Sequence, residues 1–314
     1  MVSQAGQFIL SDGTPMEVKY AVPPETTSKP LLVFIHGSFH SAWCWEKYFF
    51  PYFSSNGFPC VALSLRGTNG TFAGDGVKKV KIDDQVEDII YFLECLNDGC
   101  DITKEIAPKP LLAPPVLIAH SFGGLAAMKI LEHEKLSKKK LLLSMALLNS
   151  VPPSGITTMS LRALRSNPMK GWHIMQGLAM KQAVSNPKIC RLLFFDSDEA
   201  DAKDDAVLKE YMVHFQEDSK VTMDLRDMAK KLPMYSADED GFSVHLRKGL
   251  LQRPALVLGG SSDFIVDKSA VQETARFFGV DGVIMDNAVH DVMLAKCRES
   301  VAERIKVWLD ESST

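Results

Sequence analysis

An α/β fold built on a mostly parallel sheet is what this 314-residue chain predicts, on three observations. Short apolar runs alternate with longer amphipathic helical patterns, as in βα units wound around a sheet. The runs are continuous and rich in β-branched and aliphatic residues, which suits strands covered on both faces. Residues 151–250 then break the alternation: they carry helical patterns without a convincing strand, and strands resume at Ala255. The expected organisation is a core of residues 1–150 and 251–314 with a helical cap, residues 151–250, inserted between two core strands. An insertion leaving from strand ends sits over the C-terminal edge of the sheet, where ligands bind in open α/β sheets.

The elements follow in chain order. Gln7–Leu10 and Met16–Tyr20 flank Asp12-Gly13, a hairpin signal. Leu31–His36, Cys60–Leu65, Val116–His120, Leu142–Leu148, Ala255–Leu258 and Gly282–Met285 read as strands. Asp83 or Asp84 caps a helix running to about Leu96, with Val86, Ile89, Ile90 and Leu93 on one face. Further helices are expected over Phe122–Leu131, over Ser269–Phe278 and from Ser300, where Val301, Ile305 and Trp308 are spaced to dock on the sheet. Residues 98–115, with Pro108, Pro110, Pro114 and Pro115, read as a loop.

Composition removes several function classes. The chain is 46% hydrophobic and 24% charged, and its net charge of −4 points to neither nucleic acid nor an anionic membrane as a partner. No apolar run approaches the roughly 18 residues of a membrane span. The six cysteines lack metal-site or disulfide-framework spacing and read as reduced thiols, and no metal site is expected. The N-terminus lacks the pattern of a secretory signal. The expected location is the cytoplasm, or an organelle such as a plastid if a targeting peptide has been removed. No feature fixes an oligomeric state.

The most informative segment is Val116 to Gly124, VLIAHSFGG. A strand ends at His120, a helix begins just after Ser121, and only a tight turn separates them. Ala119 and Gly123 leave room on either side of the serine, and the helix N-terminus favours a developing negative charge. The segment resembles the G-x-S-x-G nucleophile turn, with Ala119 in place of the first glycine. Taken alone, the same serine also reads as a helix N-cap. The loop after the Leu31 strand, HGSFHSAWCW (His36–Trp45), supplies a candidate oxyanion site. Two converging amides are needed: those of Ser38 and of Phe122. His36 is expected to hold the loop by hydrogen bonds, His40 to be structural, and Trp43 and Trp45 to pack in the core.

A serine hydroxyl needs a base. His290 is the only histidine in the last sixty residues and follows the final strand. Asp263, in the GGSSD loop after the Ala255 strand, is the acid expected to orient it. The competing carboxylates are Asp267, expected to cap the following helix, Asp286, and Asp291, expected to point away from His290.

Taken in order, HGSFHSAWCW, LSLRG, AHSFGG, LVLGGSSD and the His290-Asp291 segment resemble the α/β-hydrolase superfamily over nearly the whole chain. The chain is similar to its capped, lysophospholipase-like and esterase-like members, and the HGSFHSAWCW loop also resembles that of plant methylesterases and hydroxynitrile lyases. The resemblance implies a central eight-stranded, mostly parallel sheet with helices on both faces, a helical cap and no obligatory cofactor. The expected activity is hydrolysis of a small-molecule carboxylic ester or thioester through an acyl-enzyme on Ser121. A lyase on the same triad, or a ligand receptor with little turnover, are the alternatives. Members with an aspartate nucleophile, the epoxide hydrolases and haloalkane dehalogenases, are disfavoured by Ser121. Met159, Leu161, Met169, Met175, Leu178 and Met180 read first as packing of the cap onto the core, and also suggest an apolar acyl or alcohol part.

Overall fold

The computed structural model describes residues 3–25, 27–99, 105–106, 113–195, 205–233 and 250–311. Most of the loop expected over 98–115, and parts of the expected 151–250 insertion, lie outside these residues.

The apolar runs form the strands that their continuity predicts. The strands are β1 (Gln4–Ile9), β2 (Pro15–Ala21), β3 (Leu32–Ile35), β4 (Cys60–Leu63), β5 (Lys79–Val80), β6 (Val116–His120), β7 (Ser144–Leu148), β8 (Thr222–Met223), β9 (Leu256–Gly260) and β10 (Gly282–Met285). Eight of them make one sheet in the order β1-β2-β4-β3-β6-β7-β9-β10. β1 and β2 form the antiparallel hairpin, β2 runs antiparallel to β4, and every other pairing in the sheet is parallel. Every residue of β3, β4, β6, β7 and β9 is buried. Successive side chains point to opposite faces of a sheet, so both faces are covered there.

The helices that bear on the site are α1 (Ile82–Asp98), α2 (Phe122–Ile130), α3 (Gly155–Ser166), α4 (Pro168–Ile174), α5 (Asp205–Asp218), α6 (Lys268–Phe278) and α7 (Arg298–Glu311). No described helix is long and apolar enough to cross a membrane. Helix α1 is capped at Lys81, two residues ahead of the nearer expected cap, Asp83; Asp84 accepts from the Lys81 amide instead of occupying the cap itself. Asp267 caps α6, accepting from the Ala270 amide at 2.8 Å, and also takes a two-pronged bond from Arg162 of α3.

The stretch between β7 and β9 adds no described strand to the main sheet. It is not free of strand, however. Thr222–Met223 (β8) pairs in parallel with Lys79–Val80 (β5) in a separate two-stranded sheet. A two-residue strand carries no periodicity, which is why the sequence does not announce it.

Strand β3 delivers the loop that follows it from a crowded aromatic nest. Phe34 is fully buried and meets Trp45, Phe50 and Phe53 at ring-centroid distances of 5.0, 5.7 and 5.9 Å. Phe34→Ala is expected to lower unfolding free energy by about 3–5 kcal/mol, since the cavity cannot collapse between closely packed rings. Urea denaturation followed by tryptophan fluorescence measures this.

Candidate active site

β6 ends at His120 and α2 begins at Phe122, so Ser121 alone makes the turn. Its backbone adopts φ 53° and ψ −121°, a state that L-residues rarely occupy. Ser121 stands at the N-cap position, yet its side chain makes no capping bond. Its hydroxyl lies 3.2 Å from His290 Nε2 instead. The turn needs close backbone approach on both sides. A Cβ on Gly37 would fall 2.8 Å from Ser121 Cβ, and one on Gly123 would fall 2.9 Å from Ile35 Cγ2.

His290 Nδ1 donates to Asp263 Oδ2 at 2.9 Å. The other Asp263 oxygen accepts from the amides of Ile265 at 2.7 Å and Val266 at 2.9 Å. Ser121, His290 and Asp263 are all buried. With Nδ1–H committed to the carboxylate, Nε2 is the nitrogen that accepts from the serine hydroxyl. Among the described residues, Asp263 is the carboxylate that bonds His290: Asp267 caps α6 and Asp286 is exposed. Asp291, expected to point away from His290, instead brings its carboxylate within 4.8 Å of a His290 ring nitrogen, while its hydrogen bond goes to His40 Nε2 at 3.0 Å.

Ser38 and Phe122 line the same small cavity as Ser121 and His290. Among the described residues, neither the Ser38 nor the Phe122 amide has a hydrogen-bond partner. Beyond this cavity opens a larger one of about 950 Å³, which shares Ser38, Phe39, Phe122, Ile156 and Leu178 with the first. The residues expected to pack the helical insertion onto the core divide. Met159 is buried and lines the serine cavity, whereas Leu161, Met169, Met175 and Met180 are exposed.

Several supporting residues leave no trace in local sequence patterns. Asn149, at the end of β7, donates to the carbonyls of Val289 and His290 at 2.7 and 2.8 Å and accepts from the Gly260 amide at 2.8 Å. His120 Nε2 donates to the same His290 carbonyl at 2.9 Å. Phe194 stacks on the His290 ring, and its carbonyl accepts from the Asp291 amide at 3.0 Å. The structural role expected of His40 has a specific form: Nε2 meets Asp291 Oδ2 at 3.0 Å, and Nδ1 meets the Ser38 carbonyl at 2.8 Å. Trp45 packs in the core as expected. Trp43 is only half-buried; it stacks on His40 and donates to Asp218 at 2.9 Å.

Partners sort the buried imidazoles by charge. His36 donates from Nδ1 to the Gly37 carbonyl and accepts on Nε2 from the Leu65 amide, so it is neutral and holds the loop; burial pushes its pKa down to about 3. Burial, with the charges of His290 and His40, likewise lowers His120. For His40, burial opposes ionisation, but the charge and hydrogen bond of Asp291 prevail and raise its pKa. For His290, burial again opposes, and the charge and hydrogen bond of Asp263 raise it. His120, His290 and Asp291 bring donor atoms within 4.8 Å of one another. A metal there would compete with Asp263 and Ser121 for His290 and with His40 for Asp291, so the donor set does not favour a metal centre.

The sequence profile described as "Alpha/beta hydrolase family" matches residues 32–304. No curated protein matches the chain. Among solved structures, it is similar to a thermophilic esterase from Thermogutta terrifontis, with 17% identity, 99% of this chain and 100% of that one covered, and a TM-score of 0.64. A membrane phospholipase A described as a bacterial virulence factor shares 16% identity over 99% of this chain and 87% of that one, with a TM-score of 0.64. An epoxide hydrolase from metagenomes of hot environments shares 16% identity over 98% and 99% of the two chains, with a TM-score of 0.60. At these identities the likeness is one of fold.

The imidazole assignments predict a divided titration. In long-range proton–nitrogen NMR spectra between about pH 5 and 8, His36 and His120 are expected to stay neutral, while His40 and His290 lose their protons above the ordinary value of about 6.5.

Proposed function

This chain belongs to the alpha/beta hydrolase family, and on that premise we propose that it hydrolyses a carboxylic ester or thioester with an apolar part through an acyl-enzyme on Ser121. The observation that carries the reading is the chain of hydrogen bonds from Ser121 through His290 to Asp263, at a turn where the serine forgoes capping its own helix. Ser121 Oγ attacks the substrate carbonyl carbon while His290 Nε2 takes its proton. The Ser38 and Phe122 amides stabilise the oxyanion. His290 then returns the proton to the leaving group, and the same base activates water to release the acid. Asp263 holds the tautomer and stabilises the imidazolium.

A serine at the turn separates this reading from chemistry that needs a carboxylate nucleophile. Residues 151–250 act in it as a cap over the site: Ile156, Met159, Leu178 and Phe194 reach the serine cavity.

A fluorophosphonate probe is expected to label the wild-type protein and not Ser121→Ala; folded wild type that stays unlabelled would overturn the proposal. Labelling without turnover of any ester would favour the lyase or receptor alternative. His290→Ala retaining full activity toward p-nitrophenyl acetate would remove His290 as the base.

The base works only when neutral, and Asp263 raises its pKa. Activity should therefore fall as pH drops through a value above about 6.5. Asp263→Asn is expected to cut kcat about ten-thousandfold and to move this acid limb downward, as read in a pH–rate profile.

A further inference from the structure

The larger cavity beside Ser38, Phe39 and Phe122 has a composition that a purely apolar substrate does not explain. Its walls present Leu161, Leu164, Trp172 and Met175, exposed by 43%, 49%, 46% and 44%. Large side chains left this open within one concave surface mark a place where apolar matter binds. At about 950 Å³, the cavity is near the upper end of the usual range for small-molecule sites. Three cations also line it, Lys79, Lys181 and Arg226, and none of its described lining residues is an aspartate or glutamate. On a chain with a net charge of −4, that is a local reversal of sign.

The cations are held there by the fold. Lys79 lies on β5, which pairs with β8, and Arg226 lies in the short helix Leu225–Met228 just after β8. Both act on the carboxylate of Asp224. It is already engaged as the cap of this short helix, accepting from the amides of Arg226 and Asp227 at 3.0 and 3.2 Å. Lys181 is tied by its ammonium to the Ser219 carbonyl at 2.6 Å. Lys79 and Arg226 are both exposed and both line the cavity.

We infer that the substrate is an anionic amphiphile: an ester whose long apolar portion fills this cavity and whose acidic group, a carboxylate or a phosphate, lies against Lys79 and Arg226. The inference rests on the serine-hydrolase reading for the ester bond and on the cavity for the rest. It adds a charge requirement to a substrate otherwise described only as apolar. Charged and apolar parts contribute separately. Each methylene buried in the cavity lowers KM about fourfold until the cavity is full. The acidic group adds about tenfold through charge-assisted hydrogen bonds, and added salt screens that part alone.

The test uses p-nitrophenyl esters of one acyl length that end in a methyl group, a carboxylate or a phosphate. Wild type is expected to favour both anionic esters over the neutral one by about tenfold in kcat/KM. The ratio between the two anions identifies the acidic group. In the Lys79→Gln, Arg226→Gln double variant the preference should collapse toward one, and Arg226→Lys should retain part of it. Both positions are exposed, where substitutions seldom disturb folding. Equal turnover of neutral and anionic esters by wild type, unchanged in the double variant, would overturn the inference while leaving the serine mechanism standing. Calorimetric binding of the same esters to Ser121→Ala separates the opposite case. Tighter binding of the anionic chain, with no turnover by wild type, would keep the cavity assignment and remove the hydrolase.

Discussion

Ser121 is held at φ 53° and ψ −121°, and a non-glycine residue in so sparsely populated a state costs about 1–3 kcal/mol. Such a state persists only where the surroundings over-determine it. Here the Ser121 amide donates to the Leu148 carbonyl at 3.1 Å, and its own carbonyl accepts from the amides of Gly124 at 3.0 Å and Val151 at 3.1 Å. The turn is thereby fastened to the neighbouring strand and to the start of its own helix. Gly37 and Gly123 let the loop after β3 and the β3 backbone come within van der Waals distance of it. The parallel sheet supplies the rest: β3, β6, β7 and β9 all end on the same side, so their following loops converge on one serine.

Low dielectric governs the layer beneath. Four histidines are buried within this region, and an imidazole cannot be charged there without a partner. Two have carbonyl and amide partners, or a carbonyl alone, and remain neutral scaffolding. The other two each meet a carboxylate. Asp263 and Asp291 thus do parallel jobs on separate rings: one orients the proposed base, the other fixes His40 against the Ser38 carbonyl. Because His290 and Asp291 are consecutive, a single loop carries both connections, and Asn149 and His120 pin its backbone.

Much of this was legible in the sequence, for physical reasons. Fully buried parallel strands require continuous apolar runs, so β3, β4, β6, β7 and β9 announce themselves. A strand-to-helix turn at a serine requires small flanking residues, hence Ala119 and Gly123. The loops after β9 and β7 tell two different stories. Asp263 stands out because it ends a glycine-rich loop after a strand, whereas Asn149 ends a strand as an unremarkable polar residue. The pairing of His40 with Asp291 spans 251 positions, and no local pattern encodes which distant carboxylate an imidazole will meet. Phe194 and β8 are hidden for the same reason. Their roles come from packing against the core, which a helical pattern alone does not specify.

The two oxygens of Asp263 divide their duties: one faces His290, and the other is held by the amides of Ile265 and Val266. The carboxylate is therefore not a free rotor. Turning it to exchange its oxygens would break all three bonds together, so the imidazole takes its direction from peptide groups two and three residues downstream of the acid. Those peptides act through N–H groups, not side chains. Many residue types could stand at 265 and 266 without removing these two N–H donors, but proline, which has no N–H, is barred from both.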